Sequence, residues 1–386
     1  MTALVPPPAR VLRAAAAPSP AAAVSSPVRR RPGSWGPTDV AALIGCAAAV
    51  AVFVLMVSSV LVDTPGWLAD LALWFVLFLG AYYVVIAERL GRLAAIDRLV
   101  AVVVCAGALL LVVPLTSLLV YVFARGLPQL RLAFFTHDMA GITPQQPETA
   151  GGGLHAIVGT LEQAGLAMVL VMPLGVLCAV FLNETRSHLR RPVRIVVDAI
   201  SGLPSIVAGL FIYSALILSN PVKATLFNFN GLMASLALSL VMLPTVTRTV
   251  EVVLRLVPDG LREASLALGA SRARTVWSVV LPTARSGVTT AVVLGLARIV
   301  GETAPLLFTS FGSDLLNRNP FSGVQESLPL FVFRNVKSAQ QAEADRGYIG
   351  AVVLILVVLV LFSAARLVGR DRSSRGARRR IFRRSA

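Results

Sequence analysis

Residues 263–282 read EASLALGASRARTVWSVVLP, and they lie between two long apolar stretches. This segment predicts two short helices joined at Gly269, because glycine tolerates the left-handed backbone that ends a helix. Asp259 is suited to cap the first helix and Ser271 the second, since both side chains accept bonds from exposed backbone amides. Pro282 is expected to stop the second helix. The sequence therefore predicts an angled element that projects from a membrane.

The composition is typical of a protein that crosses a membrane repeatedly. Of the 386 residues, 56% are hydrophobic and 14% are charged, and the mean hydropathy is +0.79. A spanning helix needs about 20 mostly apolar residues, and backbone groups in lipid must bond within their own segment. The predicted fold class is therefore all-α, a polytopic bundle of membrane helices. The predicted spans are residues 40–62, 66–87, 99–124, 157–181, 196–218, 230–250, 284–309 and 347–369.

Arginines are concentrated in alternate connections between these spans. Cytoplasmic loops of membrane proteins carry an excess of Lys and Arg. The arginine-rich segments are residues 29–31, 89–98, 186–194, 248–285 and 370–384. This pattern predicts that both termini are cytoplasmic, with a disordered basic N-terminus at 1–38 and a basic tail at 370–386. Topology and attraction to anionic membrane lipid then explain the net charge of +16, and no nucleic-acid partner is expected.

Two charged residues fall inside the seventh predicted span. Residues 297–309 read ARIVGETAPLLFT, so Arg298 and Glu302 would share one helix face. A charge within the bilayer costs about 2.5–3.5 kcal/mol and indicates a functional position. Arginine binds oxyanions such as phosphate through two parallel hydrogen bonds. Arg298, Glu302 and Thr303 are therefore candidates for a substrate path, and an ion pair that only fixes helix packing is the open alternative.

The fifth predicted span opens with a second unusual stretch. Residues 202–211 read GLPSIVAGLF, which places Pro204 between two glycines. Proline frees backbone groups, and glycine permits close helix packing. Ser205 is a further candidate for the substrate path, because its hydroxyl directly follows the predicted kink. A kink that serves packing alone is the alternative.

These motifs resemble those of ABC-transporter permeases. Residues 263–282 resemble the EAA loop, by which such permeases dock onto an ATPase, with Ser265 in place of the usual second alanine. The run GETAPLLFT at 301–309 resembles the PstA-type permeases of bacterial phosphate importers. The resemblance covers residues 99–369 and implies a type I importer permease core of six spans. Residues 255–283 would be its coupling loop.

The resemblance also implies roles and partners for the rest of the chain. Residues 39–98 would form an extra two-span hairpin that departs from the six-span pattern. The implied function is a permease subunit for phosphate in a bacterial inner membrane. Its implied partners are a second permease of the PstC type, an ATPase dimer of the PstB type and an extracytoplasmic phosphate-binding protein of the PstS type. The implied positions of ATPase coupling are Glu263, Ala264, Gly269, Leu261, Leu268 and Pro282.

The sequence shows no pattern typical of an enzyme. It contains no glycine-rich phosphate loop followed by Lys-Ser or Lys-Thr, so ATP is expected to bind a partner subunit. No Ser-His-Asp arrangement or metal-ligand spacing is found, and we expect no catalytic residue, metal or cofactor in this chain. The alternatives left open are a permease for sulfate or molybdate, a PstC-type permease, and a secondary transporter driven by ions. Secondary transporters often show repeated halves, which are not detected here.

Overall fold

The computed structural model describes residues 36–61, 66–219 and 225–369. The disordered N-terminus predicted at 1–38 lies outside these ranges up to residue 35, and the basic tail at 370–386 lies wholly outside them. Residues 37 and 38 are helical, because the first helix begins at Pro37, so the predicted boundary is wrong there. The long helices are α1 (Pro37–Leu61), α2 (Trp67–Leu90), α3 (Arg92–Gly126), α4 (Leu154–Glu184), α7 (Gly231–Arg255), α10 (Leu281–Val300) and α13 (Gln341–Gly369). The shorter helices are α5 (Arg190–Ser201), α6 (Ser205–Ile212), α8 (Asp259–Ala267), α9 (Arg272–Thr275), α11 (Leu306–Thr309) and α12 (Leu328–Val336).

The remaining helical turns are tighter or wider than an α-helix. Two 3₁₀ turns lie in connections, at Leu132–Phe135 and Thr225–Phe227. Two π turns continue α6 (Tyr213–Leu218) and α9 (Val276–Val280). No strand occurs in the described ranges, and seven helices are long and apolar enough to cross a membrane. The all-α membrane bundle is therefore confirmed.

The predicted span 196–218 is not one straight helix. α5 and α6 meet at an angle of 105°, and the pair makes an eighth span only if it counts as one. Pro204 has no N–H and disfavours helical backbone at Leu203, so the break falls at these residues. The kink expected at this proline is thus a full break.

The seventh predicted span, 284–309, is wrong at both ends. One helix, here called the long helix, runs from Arg272 to Val300 over 29 residues and comprises α9, a π turn and α10. Gly301 follows its last residue, and the chain then turns into the short helix α11. Residues 301–309 therefore do not continue the span.

Pro282 lies inside the long helix and does not stop it, contrary to the prediction. The π turn at Val276–Val280 comes directly before this proline. A proline ring in a regular α-helix clashes with the carbonyl four residues earlier, and a π turn widens the backbone at that place. The helix therefore passes through the proline without ending.

The chain forms two compact units, residues 1–113 and 114–386, whose boundary falls within α3. In the first unit, α1 and α2 pack against each other. Trp74, Phe78 and Tyr82 stack along one face of α2 with ring centres 5.5 and 5.9 Å apart. Arg98 of α3 pairs with Asp39 of α1 at 2.9 Å. α3 begins at Arg92, within the predicted hairpin 39–98, and this pair joins its first turns to α1.

The second unit has its core between α4, α7 and α10, and α13 packs beside α10. Small residues bring these helices close together. An added Cβ at Gly175 of α4 or at Gly295 of α10 would lie 2.9 or 2.7 Å from Val246 of α7. Such distances are shorter than real contacts, so both positions require glycine for this packing.

Candidate functional site

The coupling loop turns at Gly269, as predicted. The φ angle of Gly269 is +82°. The Gly269 N–H donates to the Leu266 carbonyl at 2.9 Å, and the Ala270 N–H donates to the Ser265 carbonyl at 3.2 Å. These two bonds form the Schellman arrangement that ends a helix at a left-handed glycine. α8 therefore ends in a defined turn before α9 begins.

The two predicted helix caps have different outcomes. Ser271 caps α9, because its hydroxyl accepts from the Arg274 N–H at 3.3 Å, as predicted. The prediction that Asp259 caps α8 is wrong: α8 begins at Asp259, and Pro258 occupies the cap position with extended backbone. Proline fixes φ near the value found there, which explains the shift of one residue.

Ser265 links the two helices of the coupling loop. Its hydroxyl lies 2.9 Å from the hydroxyl of Thr275. Ser265 belongs to α8, whereas the buried Thr275 belongs to α9. The serine that departs from the usual alanine of the EAA loop thus fixes α8 against the start of the long helix.

α8 and the residue that follows it leave apolar side chains exposed in the part of the chain that the structure describes. None of the side chains of α8 is buried. Leu268 is 89% exposed, and Leu261 and Leu266 are 42% and 43% exposed. Glu263 and Ala264 are exposed beside them. Exposed apolar residues in one patch with polar residues at its edge are typical of protein interaction sites.

Arg262 anchors α8 to the ends of two membrane helices. Its guanidinium donates to the carbonyls of Leu254 and Val257, at 2.8 and 2.6 Å. It also pairs with Glu184, the last residue of α4, and with Asp259, each at 3.0 Å. One side chain therefore holds the coupling loop to α4 and α7.

A buried carboxylate fixes α5 to α7 near the coupling loop. The Glu251 side chain is only 3% exposed and pairs with Arg248 at 2.9 Å and Arg255 at 2.6 Å. It also pairs with Arg194 of α5. A second pair, Asp198 with Arg248, joins the same two helices. A buried carboxylate is tolerated here because three guanidinium groups surround it.

Arg298 lines a cavity of about 300 Å³, here called the central cavity. Arg298 is the only charged residue among its described lining residues. The guanidinium donates from Nη1 to the Thr245 hydroxyl of α7 at 2.9 Å. The lining residues are Ile200, Ser201, Leu203, Ala208, Phe211, Leu240, Val241, Pro244 and Arg298.

The two stretches that sequence analysis singled out, 202–211 and 297–309, meet at this cavity. Leu203, Ala208 and Phe211 line it together with Arg298. Next to it, an added Cβ at Gly209 of α6 would lie 2.5 Å from the Cα of Pro305. The glycine therefore allows α6 to touch the backbone at the start of α11.

The ion pair predicted between Arg298 and Glu302 is absent from the described residues. α10 ends at Val300, so the two residues do not share a helix face. Glu302 instead follows the end of the helix, and its N–H donates to the Ile299 carbonyl at 3.1 Å.

The other candidates for the substrate path lie at helix breaks. Ser205, Glu302 and Thr303 are half-buried. None of these three is among the described residues that line the central cavity. Ser205 begins α6 after the break at Pro204, while Glu302 and Thr303 lie between α10 and α11. Of the four candidates, the structure thus brings Arg298 alone into the cavity.

At the start of α4, three side chains of metal-ligand type lie together. Ligand atoms of His155, Asp314 and Glu326 are all within 4.8 Å of one another, a grouping that sequence analysis missed. Arg334 pairs with Glu326 at 2.7 Å and with Asp314 at 3.6 Å, so the chain supplies its own positive charge. Burial raises the pKa of Glu326 to about 7, while Arg334 acts to lower it.

Residues 171–374 match the family described as "Binding-protein-dependent transport system inner membrane component". The chain belongs to this family. The matched range contains the coupling loop, the long helix and the central cavity. The protein is accordingly a multi-pass inner membrane component of a transport system.

Curated relatives of this inner membrane component carry one recurring name. This chain is 42% identical to "Phosphate transport system permease protein PstA 1" of Mycobacterium tuberculosis, over 66% of this chain and 83% of that protein. It is 36% identical to "Phosphate transport system permease protein PstA" of Yersinia pestis, over 63% and 80%. In fold it is similar to a chain of a bacterial alginate ABC transporter, with a TM-score of 0.53, 15% identity, and coverage of 73% and 97%.

Sequence analysis of this inner membrane component missed two anchoring residues. In the sequence, Arg262 is one of several arginines in the segment 248–285, although it stands next to Glu263 of the EAA-like motif. Glu251 was not singled out, although Arg248 and Arg255 lie three residues before it and four after it, at helical spacing. That spacing was the available signal for Glu251. The pairing of Arg262 with Glu184 had no local signal, because 77 residues separate them in the sequence.

Proposed function

We propose that this inner membrane component is the PstA-type permease subunit of an ATP-driven importer of inorganic phosphate. The relatives named as phosphate permeases support this cargo. A second permease of the PstC type would complete the path, an ATPase dimer of the PstB type would dock on the coupling loop, and a PstS-type binding protein would deliver phosphate from outside. Both termini are cytoplasmic in this proposal, and ATP is bound by the ATPase.

The long helix is the observation that carries the proposal. Its first residues, α9, belong to the coupling loop, and Arg298 lies in its last turn. With a rise of 1.5 Å per residue, Arg272 and Arg298 are separated by about 40 Å along one helix. The long helix thus connects the coupling loop, which is suited to bind a partner protein, to Arg298 in the central cavity.

Movement of the coupling loop would reach the cavity through this connection. Closure of the ATPase dimer displaces α8, and the bond between Ser265 and Thr275 passes the displacement to the long helix. Tilting of that helix moves Arg298 against α5, α6 and α7, which also line the central cavity. Sliding of packed helices and hinges at helix breaks are the usual means of such transitions.

Arg298 is suited to bind phosphate. The described residues provide no carboxylate paired with it, and its one hydrogen bond goes to the neutral hydroxyl of Thr245. A guanidinium binds a phosphate oxygen pair in bidentate fashion. Ser205, Glu302 and Thr303 would contribute further along the path, because broken helices expose backbone and polar groups there.

The test is uptake of labelled phosphate by cells without their own phosphate importer that express this chain with its partners. Arg298→Gln should lower uptake at least tenfold, since a charge-assisted contact contributes about 1.5–3 kcal/mol. The matched control is Arg366→Gln, an exposed arginine in the last turn of α13. Normal uptake by Arg298→Gln would overturn the role of this residue.

Two further measurements separate the alternatives. Uptake of labelled sulfate or molybdate that low concentrations of unlabelled phosphate do not inhibit would assign a different cargo. Uptake that persists when the ATPase subunit carries an inactive nucleotide site would indicate a transporter driven by ions.

A further inference from the structure

A second, larger cavity lies between the coupling loop and the ends of α4 and α5. It has a volume of about 800 Å³ and is here called the arginine cavity. Its lining comes from the end of α4, the α4–α5 connection and the start of α5, from the end of α7, and from α8, α9 and the π turn after α9. It is separate from the central cavity, since the two have no described lining residue in common.

The arginine cavity carries an excess of positive charge. Five of its lining residues are arginines, and only Glu184 and Asp259 are acidic. Both of these acids already pair with Arg262. The five arginines are Arg186, Arg190, Arg255, Arg262 and Arg272. The lining therefore has a formal charge of +3, which would attract an anion.

Three of these arginines have no counter-ion. In the part of the chain that the structure describes, the side chains of Arg186, Arg190 and Arg272 make no ion pair or hydrogen bond, whereas Arg255 pairs with Glu251. Like charges around one concave space repel each other unless an anion lies between them. Asn183 and the hydroxyls of Thr185 and Thr275 add polar groups to the same lining.

We propose that the arginine cavity binds inorganic phosphate on the cytoplasmic side and thereby restrains the coupling loop. Several guanidinium groups around one concave space suit a tetrahedral oxyanion that accepts several charge-assisted bonds. A lipid headgroup has the same chemistry, and the choice of membrane lipid in the first experiment separates the two sources. This step rests on the proposed function, because imported phosphate would reach this face.

Bound phosphate would restrain the coupling loop because its arginine ligands come from two different parts of the chain. Arg186 lies in the α4–α5 connection and Arg190 begins α5, whereas Arg272 begins the long helix. An anion bound by all three holds α9 against the fixed end of α4. A ligand shifts an equilibrium in favour of the state that it binds more tightly. Accumulated internal phosphate would therefore favour the resting position of the coupling loop and slow import.

The first experiment measures binding of labelled inorganic phosphate to the assembled transporter in phosphatidylcholine nanodiscs. The transporter carries Arg298→Gln, so that binding in the central cavity does not contribute. Arg186→Gln combined with Arg190→Gln should weaken phosphate binding at least about tenfold, through loss of two charge-assisted contacts. Arg191→Gln is the matched control, because this neighbouring arginine is exposed and does not line the arginine cavity.

Equal binding by the double variant and the control would overturn the proposal. Phosphatidylglycerol nanodiscs test the lipid source. Phosphate binding that disappears in them would show that a lipid headgroup occupies the cavity, and would overturn the free-ion assignment. Phosphate binding that remains supports it.

The second experiment measures the regulatory effect in proteoliposomes with Arg298 intact. Phosphate on the ATP-accessible side should slow transport of labelled phosphate from the other side, and Arg186→Gln with Arg190→Gln should relieve this inhibition. Basal transport without added phosphate should be unchanged in the double variant. The effect of Arg298→Gln on basal transport tests the role of Arg298 in the transport path. The proposed function and the proposed restraint by internal phosphate can therefore fail independently. Inhibition that is equal in the double variant and in Arg191→Gln would overturn the restraint.

Discussion

At the scale of single residues, Arg262 is the side chain on which the position of the coupling loop depends. We predict that Arg262→Lys destabilises the attachment of α8 by about 2 kcal/mol, because lysine cannot reach both carbonyls and both carboxylates from one nitrogen. Hydrogen exchange measured on the purified chain should show faster exchange of the amides in α8.

Arg274→Lys is the control for this prediction. Arg274 is an exposed arginine of the same coupling loop, and its side chain has no described ion pair. Its substitution should leave exchange in α8 unchanged. Equal exchange in the two variants would show that Arg262 does not anchor the helix.

Glu326 predicts a pH dependence of stability. Burial raises its pKa from 4.5 to about 7, so the folded chain binds more protons than the unfolded chain between these values. This contribution to stability is present below about pH 4.5 and is lost as pH rises to about 7. Glu326→Gln should therefore flatten the decline in melting temperature between pH 5 and 7.

The comparison of the two melting curves isolates this residue from other titrating groups. Curves for wild type and Glu326→Gln that stay parallel from pH 5 to pH 8 would contradict the prediction. The group could not be foreseen from sequence, because His155 and Glu326 are brought together only by tertiary packing of the segment before α12 against α4.

At the scale of elements, the turn at Gly269 separates two short helices with different neighbours. Gly269→Ala should cost about 1–2 kcal/mol, because an L-residue is strained at a φ of +82°. Phosphate uptake should fall, since the angle between α8 and the long helix would change. Uptake in cells, with the amount of membrane protein measured in parallel, provides the test.

Gly260→Ala is the matched control within the same loop. Gly260 lies inside α8, and an added Cβ would meet no atom within 4 Å. Alanine favours a helix over glycine by about 1 kcal/mol, so this variant should assemble and transport normally. Equal losses of uptake in the two variants would show that the left-handed turn is not the cause.

The contact between α6 and α11 depends on a second glycine. Gly209→Ala would place a Cβ 2.5 Å from the Cα of Pro305, and overpacking against backbone costs about 1–3 kcal/mol. Gly202→Ala is the control, because its Cβ would lie 3.6 Å from the Ala199 carbonyl, an ordinary contact. The melting temperature of Gly209→Ala should be lower than that of Gly202→Ala. Similar melting temperatures would contradict this close contact.

Helix identity was predictable from sequence at this scale, whereas helix ends were not. Apolar runs predicted the long helices. Local chemistry also predicted the turn at Gly269 and the helix cap at Ser271, and the structure contains both. The effect of each proline depended on its surroundings. Pro204 breaks a helix at 105°, whereas Pro282 lies within a continuous helix after a π turn. Nothing in the residues beside Pro282 distinguishes these outcomes without knowledge of the packing.

At the scale of the whole molecule, α4 separates the charged coupling loop at its C-terminal end from the cluster of His155, Asp314 and Glu326 at its N-terminal end. Its 31 residues extend about 46 Å at 1.5 Å per residue, which exceeds the thickness of the hydrocarbon core. One end of α4 is held to the coupling loop by Arg262, and the other end lies beside Glu326. The coupling loop and the segment before α12 should therefore lie on opposite faces of the membrane.

Cysteine accessibility tests this orientation. In a chain whose native cysteines are replaced, Leu315→Cys should react with a membrane-impermeant maleimide in intact spheroplasts, because Leu315 is 61% exposed in the segment assigned to the outside. Leu268→Cys should react only after the membrane is opened, because the arginine-rich coupling loop is expected inside. Labelling of Leu268→Cys in intact spheroplasts would place the coupling loop outside, where no ATPase is available to dock. That result would remove the link between the long helix and ATP, whatever substrate Arg298 binds.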